Sequence, residues 1–224
     1  MRLILDKYRA RLGRVYFRLR GMLHREMGNP TFPRAIQRMI RSSPDRIRYT
    51  AMALALERIR QDHVPGALAE IGVYHGVSSR LLHAQMPERP FYLFDTFSGF
   101  PNDDADQRFQ NTSVEVVKAR LGELHNVVFR VGVFPQTACG LEKERFSFVL
   151  YDADKYEPTK AALEFFYPRL SPGGYFIFHD YNCSESDGAV KKAADEFMLR
   201  KPESLIELPD ICGSAIFRKS RQNT

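Results

Sequence analysis

The sequence predicts an α/β fold: an open, mostly parallel sheet of seven strands with a C-terminal antiparallel hairpin. Three observations predict it. Short, nearly uncharged apolar runs alternate with amphipathic stretches of helical spacing. Three of those runs end on carboxylates, at Asp95, at Asp152 and Asp154, and at Asp180. The last two runs are separated only by Pro209 to Gly213, too short for a helical crossover.

Taken in order, Met1 to Met27 reads as an amphipathic helix. Leu5, Tyr8, Leu12, Val15, Tyr16, Leu19, Met22 and Leu23 recur at three- and four-residue steps, with arginines between them. Asn29 to Pro33 is a break, and Ser43-Pro44-Asp45 opens a second helix that runs to about Asp62. Its expected apolar face is Ile47, Ala51, Leu54, Ala55 and Ile59. Leu68 to Val73 is the first strand, and Gly72 and Gly76 form the turn after it. A helix from Ser78 to Met86 completes a first βα unit of the nucleotide-binding kind. The glycine spacing is G-x-x-x-G and not the G-x-G-x-x-G of dinucleotide folds. Phe91 to Asp95 is the second strand, and its terminal acid stands where a ribose hydroxyl pair is commonly bound. Thr96 to Pro101 reads as loop, Asn102 to Asn111 as a polar loop or lid, and Thr112 to Leu121 as helix. Val127 to Val131 is the third strand, followed by Gly132-Val133-Phe134-Pro135.

Phe146 to Asn182 is the centre of the chain. Phe146 to Tyr151 and Tyr175 to Phe178 read as buried strands. A helix from Glu157 to Leu170 lies between them, and Ser171-Pro172-Gly173-Gly174 breaks it. Strand, helix, strand makes a parallel pair with a right-handed crossover. Both strands then end on one edge of the sheet, so Asp152, Asp154, His179 and Asp180 should converge there. Hard oxygen donors with one imidazole suggest a divalent cation, Mg²⁺ or Mn²⁺. Strand-end acids also cap helices, an explanation that weakens when four polar groups arrive on adjacent strands. A helix from Gly188 to Arg200 follows, then short strands at Leu205 to Leu208 and Ser214 to Arg218.

The bulk numbers set limits. At 224 residues, 44% hydrophobic and 27% charged, the chain suits one sizeable core. Cys139, Cys183 and Cys212 lack metal-ligand spacing, and their odd, scattered count suits a reducing compartment. No apolar run reaches the roughly 20 residues of a membrane helix, and no secretory leader is evident. Residues 1 to 25 hold eight Arg or Lys against Asp6 alone, a local +7 within a net +6, so the rest sums to −1. The expected organisation is a basic helical segment, 1–43, and a body, 44–224. Three readings of the basic helix compete: packing on the body or a second subunit, lying on an anionic membrane surface, or touching nucleic acid. The near-neutral body disfavours nucleic acid.

With these residues assembled, the chain resembles the macrocin O-methyltransferase family of sugar O-methyltransferases. The resemblance rests on PGALAEIGVYHG, YLFDTFSGFP, VGVFPQTA, YDADKYEPTKAALEFFYPRLSPGG and the HDY that follows, from about Pro65 to Phe197. It implies a class I methyltransferase fold, S-adenosylmethionine (SAM) as methyl donor, Mg²⁺ dependence and transfer to a sugar hydroxyl. It implies metal ligands at Asp152 and Asp180 and a general base at Asp154. Donor-binding positions are expected at Glu70, Gly72, Tyr74, Gly76 and Ser78, at Asp95, Thr96 and Phe97, at Gly132 and Phe134, and at Asp152. The family leads one to expect Asp-Asp-Tyr where this chain has His179-Asp180-Tyr181, so His179 is a candidate third ligand and the choice between Mg²⁺ and Mn²⁺ stays open. A vicinal diol would suit such a metal. A small-molecule or glycan acceptor, a homo-oligomer and a cytoplasmic location, with or without membrane contact through the basic helix, complete the expectation. A catechol-type O-methyltransferase and a non-catalytic SAM-binding module are the alternatives.

Overall fold

A computed structural model describes residues 32–100 and 108–221. The body treated below is the unit Ala35–Thr224. The predicted helix over Met1 to Met27 lies outside the described residues, as does most of the predicted lid. Among the described residues, no helix is long and apolar enough to cross a membrane.

Seven strands form one sheet in the order β3-β2-β1-β4-β5-β7-β6. They are β1 (Ala67–Ile71), β2 (Phe91–Asp95), β3 (Val127–Val131), β4 (Phe146–Tyr151), β5 (Leu170–Phe178), β6 (Ile206–Glu207) and β7 (Ala215–Arg218). The pairs among β1 to β5 are parallel, and β7 runs antiparallel to β5 and β6. Every residue of β1 and β4 is buried, as expected of central parallel strands covered on both faces. Side chains alternate across the sheet. Ala67, Ala69 and Ile71 join the core on one face, with α5 (Tyr156–Phe166) and α6 (Ala189–Met198). Leu68 and Glu70 take the other face, toward α3 (Val77–Gln85).

Aromatic rings fill much of the first face. Phe166 stacks on Phe134 with centroids 5.6 Å apart and meets Phe146 edge-on at 4.9 Å. Burying each such side chain contributes about 1.5–3 kcal/mol, and edge-to-face geometry suits the ring quadrupoles.

The structure corrects three expectations. Arg34–Ser42 forms a helix, α1, with Ile36 and Ile40 buried one turn apart, where the sequence suggested only a break before Ser43. The second helix, α2 (Arg46–Gln61), buries Tyr49, Met52, Ala53, Ala55, Leu56 and Ile59. Ile47 and Leu54, expected on its inner face, are 47% and 41% exposed. The buried stripe starts at Tyr49 because its ring, and not Ile47, sits at the position that packs inward. Third, Ser171 to Gly174 does not end an element but lies inside β5. Gly173 N–H donates to Lys219 O and Lys219 N–H donates to Gly174 O, both at 2.8 Å, so the segment is already paired with the chain beyond β7. The helix before it stops earlier, at Phe166, and a single 3₁₀ turn bridges to Leu170.

Candidate active site

A cavity of about 460 Å³ opens at the C-terminal edge of β1, β2, β4 and β5. Open α/β sheets bind ligands at this edge, and α2 and the β6–β7 connection form its outer walls.

Strand β1 ends at Ile71, and Gly72 just after it lines the cavity with φ +81°. A Cβ there would stand 1.8 Å from the carbonyl oxygen of Asp152, so only glycine lets the ends of β1 and β4 come this close. The chain then turns through Tyr74 and Gly76 into α3. The Asp95 carboxylate, at the end of β2, holds that turn. Its Oδ2 accepts the N–H groups of Val73 (2.7 Å) and Tyr74 (2.8 Å), and its Oδ1 accepts that of Phe97 (2.7 Å). Asp95 itself lines the cavity. Thr96 lines the cavity beside it, its hydroxyl donating to Gly99 O at 2.6 Å.

The other expected donor-binding residues divide. Tyr74, Ser78, Gly132, Phe134 and Asp152 line the cavity. Glu70, Gly76 and Phe97 are not among the residues that line it. Glu70 is fully buried under the turn, where it accepts the Ser78 hydroxyl and, at 2.6 Å, that of Ser79. Burial pushes its carboxyl up to about 8, against the two hydroxyl hydrogen bonds, which favour the ionised form. Gly76 faces α4 (Val114–Leu121), where a Cβ would meet Val117 at 2.8 Å. Phe97 is buried beside Phe129, with ring centroids 6.0 Å apart.

The four polar groups at the ends of β4 and β5 do converge. Carboxylate oxygens of Asp152, Asp154 and Asp180 all lie within 4.8 Å of one another. His179 Nδ1 stands between two of these acids, 2.8 Å from Asp152 Oδ1 and 2.8 Å from Asp180 Oδ2. Parallel pairing brings them together: Tyr151 lies opposite Phe178, and His179 N–H donates to Tyr151 O at 2.8 Å. Asp154 and Asp180 both adopt positive φ, +55° and +56°. That conformation is uncommon outside glycine, and asparagine and aspartate tolerate it best.

Like charges this close cannot all be ionised without a cation. Burial raises the Asp154 carboxyl to about 7, with help from its hydrogen bond to Asp180 and from the charges of Asp152 and Asp180. Burial alone would also raise Asp180, but the His179 hydrogen bond and charge outweigh it and hold Asp180 below the usual carboxylate value. For His179 burial works downward, yet the charge and hydrogen bond of Asp152, with Asp180, push the imidazole up to about 10.

The cluster fits a divalent cation. It offers hard oxygen donors from three acids, and Asp154 Oδ1 is buried with no hydrogen-bond partner among the described residues. Cys212 also comes within reach of His179 and Asp180.

Sequence reasoning missed the outer walls. Arg48 and Tyr49 of α2 line the cavity, with Arg48 Nη1 3.8 Å from Asp152 Oδ2. Arg108 Nη1 lies 3.7 Å from Asp154 Oδ2, and its guanidinium lies over the rings of Phe100 and Phe109. The charge of Arg48, so near the start of an amphipathic helix, was the available signal.

A family model for macrocin-O-methyltransferase (TylF) matches residues 20–212. A tetracenomycin-C rhamnosyl 4'-O-methyltransferase of Streptomyces olivaceus is 32% identical over 174 residues, which cover 68% of this chain and 67% of the relative. Mycinamicin III 3''-O-methyltransferase of Micromonospora griseorubida is 32% identical over 164 residues, 62% of this chain and 65% of the relative. Among solved structures, the O-methyltransferase NovP superposes with a TM-score of 0.66 at 24% identity, covering 79% of this chain and 81% of its own. The calicheamicin methyltransferase CalS11 does so with 0.60 at 23% identity, covering 85% and 98%. These two likenesses show the fold, a class I methyltransferase sheet.

Proposed function

Because the chain belongs to the macrocin-O-methyltransferase family, we propose that it moves the methyl group of SAM to a hydroxyl of a sugar or glycoside, with a divalent cation, Mg²⁺ or Mn²⁺, held by its acidic cluster. The observation that carries this reading is the convergence of Asp152, Asp154, His179 and Asp180 on a cavity whose far side presents the Asp95 carboxylate. The matched relatives act on rhamnosyl and mycinamicin hydroxyls, which favours a sugar acceptor.

The donor's methyl is already activated, so the chain's task is to place an oxygen in line with it and to take that oxygen's proton. Placement supplies several kcal/mol by itself. Asp95 receives the ribose hydroxyls on its remaining lone pairs. Phe134 offers an apolar ring to the adenine, and its contacts with Phe94 and Phe166 hold that ring in place. Asp152 and Asp180 would hold the cation, and His179 would serve as a third ligand once its imidazole has given up a proton. A bound cation would lower the cost of deprotonating a sugar hydroxyl and would orient a vicinal diol. Asp154 takes the proton on Oδ1, the buried oxygen that no other group occupies. A cytoplasmic location and a homo-oligomer belong to the same proposal.

Calorimetry tests it directly. S-adenosylhomocysteine and Mn²⁺ should each bind, and Asp180→Ala should abolish the Mn²⁺ heat while leaving the S-adenosylhomocysteine heat intact. Full methyl transfer in excess EDTA would sink the metal assignment, and no S-adenosylhomocysteine binding would sink the whole reading.

A further inference from the structure

We propose that Arg48 receives the carboxylate of SAM's methionine tail, an inference that rests on the methyltransferase reading above. Arg48 sits in the first turn of α2, lines the cavity, and its side chain is only 11% exposed. Its guanidinium carries five N–H donors in a rigid fork. The nearest acid, Asp152, lies 3.8 Å from Nη1, beyond hydrogen-bond distance. Its Nε is buried and has no hydrogen-bond partner among the described residues. A buried arginine left with unused donors beside a cavity is a site prepared for an anion.

The adjoining wall, where α3 packs against α2, has the same sign. Gly76 precedes α3 in a left-handed conformation, and no side chain caps the first N–H groups of the helix. Val77 and Ser78, its first two residues, line the cavity. An uncapped helix N-terminus carries partial positive charge and free donors. The Ser78 hydroxyl is turned away to Glu70, so the backbone donors are what α3 presents.

The layout of the cavity then decides which anion. The ribose belongs at Asp95 and the adenine beside Phe134, on the β2–β3 side. The reacting methyl must face Asp154, beyond β4. The third substituent of the sulfonium, the amino-acid tail, is left with the passage over the end of β1 toward α2 and α3. Its carboxylate is the one anionic group of SAM. Asp45 fixes the backbone that carries Arg48 there, because its Oδ1 accepts the Arg48 backbone N–H at 3.1 Å as part of the α2 cap.

The test compares two ligands that differ in this tail. S-adenosylhomocysteine carries it; 5′-methylthioadenosine keeps the adenosine and the thioether and lacks it. Both are titrated by calorimetry into the wild-type chain and into Arg48→Met and Arg48→Lys, with thermal unfolding of each variant alongside. For Arg48→Met, S-adenosylhomocysteine affinity should fall about ten- to a hundredfold, the range for a charge-assisted pair. The 5′-methylthioadenosine affinity should not move, and Arg48→Lys should fall between wild type and Arg48→Met. Equal weakening of both ligands would reduce Arg48 to a structural role and overturn the proposal. So would unchanged or tighter S-adenosylhomocysteine binding, the latter being the result if Arg48 faced the tail's ammonium. Failure of the wild-type chain to bind either ligand would remove the methyltransferase reading itself, and this inference with it.

Discussion

Replacing Gly72 by alanine separates two costs that are usually confounded. Gly72 and Gly140 share nearly the same positive φ, +81° and +84°. At Gly140 an added Cβ meets nothing within 4 Å, whereas at Gly72 it would lie 1.8 Å from Asp152 O and 2.6 Å from Asp152 C. Both substitutions incur the left-handed penalty of roughly 1–2 kcal/mol. Only Gly72→Ala must also push apart β1 and β4, which Asp152 N–H and Ile71 O join at 2.8 Å. Overpacking of that kind adds about 1–3 kcal/mol. Each kcal/mol shifts the midpoint of a domain this size by roughly 2–4 °C. Gly140→Ala should therefore melt a few degrees below wild type, and Gly72→Ala roughly 5–15 °C below. Differential scanning calorimetry reads both. Gly72→Ala should also lose Mn²⁺ binding, because the clash moves the residue that presents Asp152 to the cluster. Equal midpoints for the two variants would refute the reasoning, since they would show that the two strand ends separate at no cost.

Three further outcomes are expected. Asp154→Asn should lower turnover about 10²- to 10⁴-fold while leaving S-adenosylhomocysteine affinity as it was; retained turnover would mean that another group takes the proton. The Glu70 carboxyl, pushed up by burial to about 8, titrates near 4.3 when unfolded. Its contribution to stability is complete below that unfolded value and lost as pH rises through about 8. Glu70→Gln, which keeps the shape without titrating, should gain on wild type across that window in urea unfolding, and parallel pH curves would contradict the burial argument. Glu203 has the opposite sign. Burial alone would raise it, but the Tyr167 hydroxyl at 2.6 Å, the Ser220 N–H at 2.8 Å and Lys219 outweigh burial and hold it below its usual value. Its contribution is complete above the unfolded value and lost as pH falls through the lower folded one. Glu203→Gln should cost about 1.5–3 kcal/mol at pH 7, and the gap should close on acidification.

The sheet and its acids were legible for one physical reason. In a parallel sheet, position at the end of a strand is position at the site, so Asp95, Asp152 and Asp180 could be placed from strand ends alone. Strands β1, β2 and β4 carried enough apolar signal to be found. What stayed hidden came from elsewhere in the chain. Arg48 precedes β1 on a helix whose buried face is set by Tyr49 and Met52, and a sequence pattern that admits Ile47 as an inner residue points that helix the wrong way. Cys212 reaches His179 and Asp180 from the β6–β7 connection, a placement that depends on β7 docking beside β5. Glu70 looked like a ligand-facing acid. Alternation along β1 turns it instead into the face that α3 covers, where two serine hydroxyls occupy it.

The cap of α2 has a consequence for the order in which this protein becomes competent. Asp45 Oδ1 caps the helix that carries Arg48, while its Oδ2 accepts the Ile211 N–H at 2.7 Å, from a residue 166 positions further along. A contact of such sequence separation forms late, because the closure entropy of the intervening chain must first be offset by structure within it. A nascent chain that has emerged only through Asp180 already has the segments bearing Asp152, Asp154, His179 and Asp180, but not Ile211, which anchors the cap of α2. The acidic groups are thus in hand before the wall that carries Arg48 is pinned, and the arrival of Ile211, not of the acids, marks the moment that cap is complete.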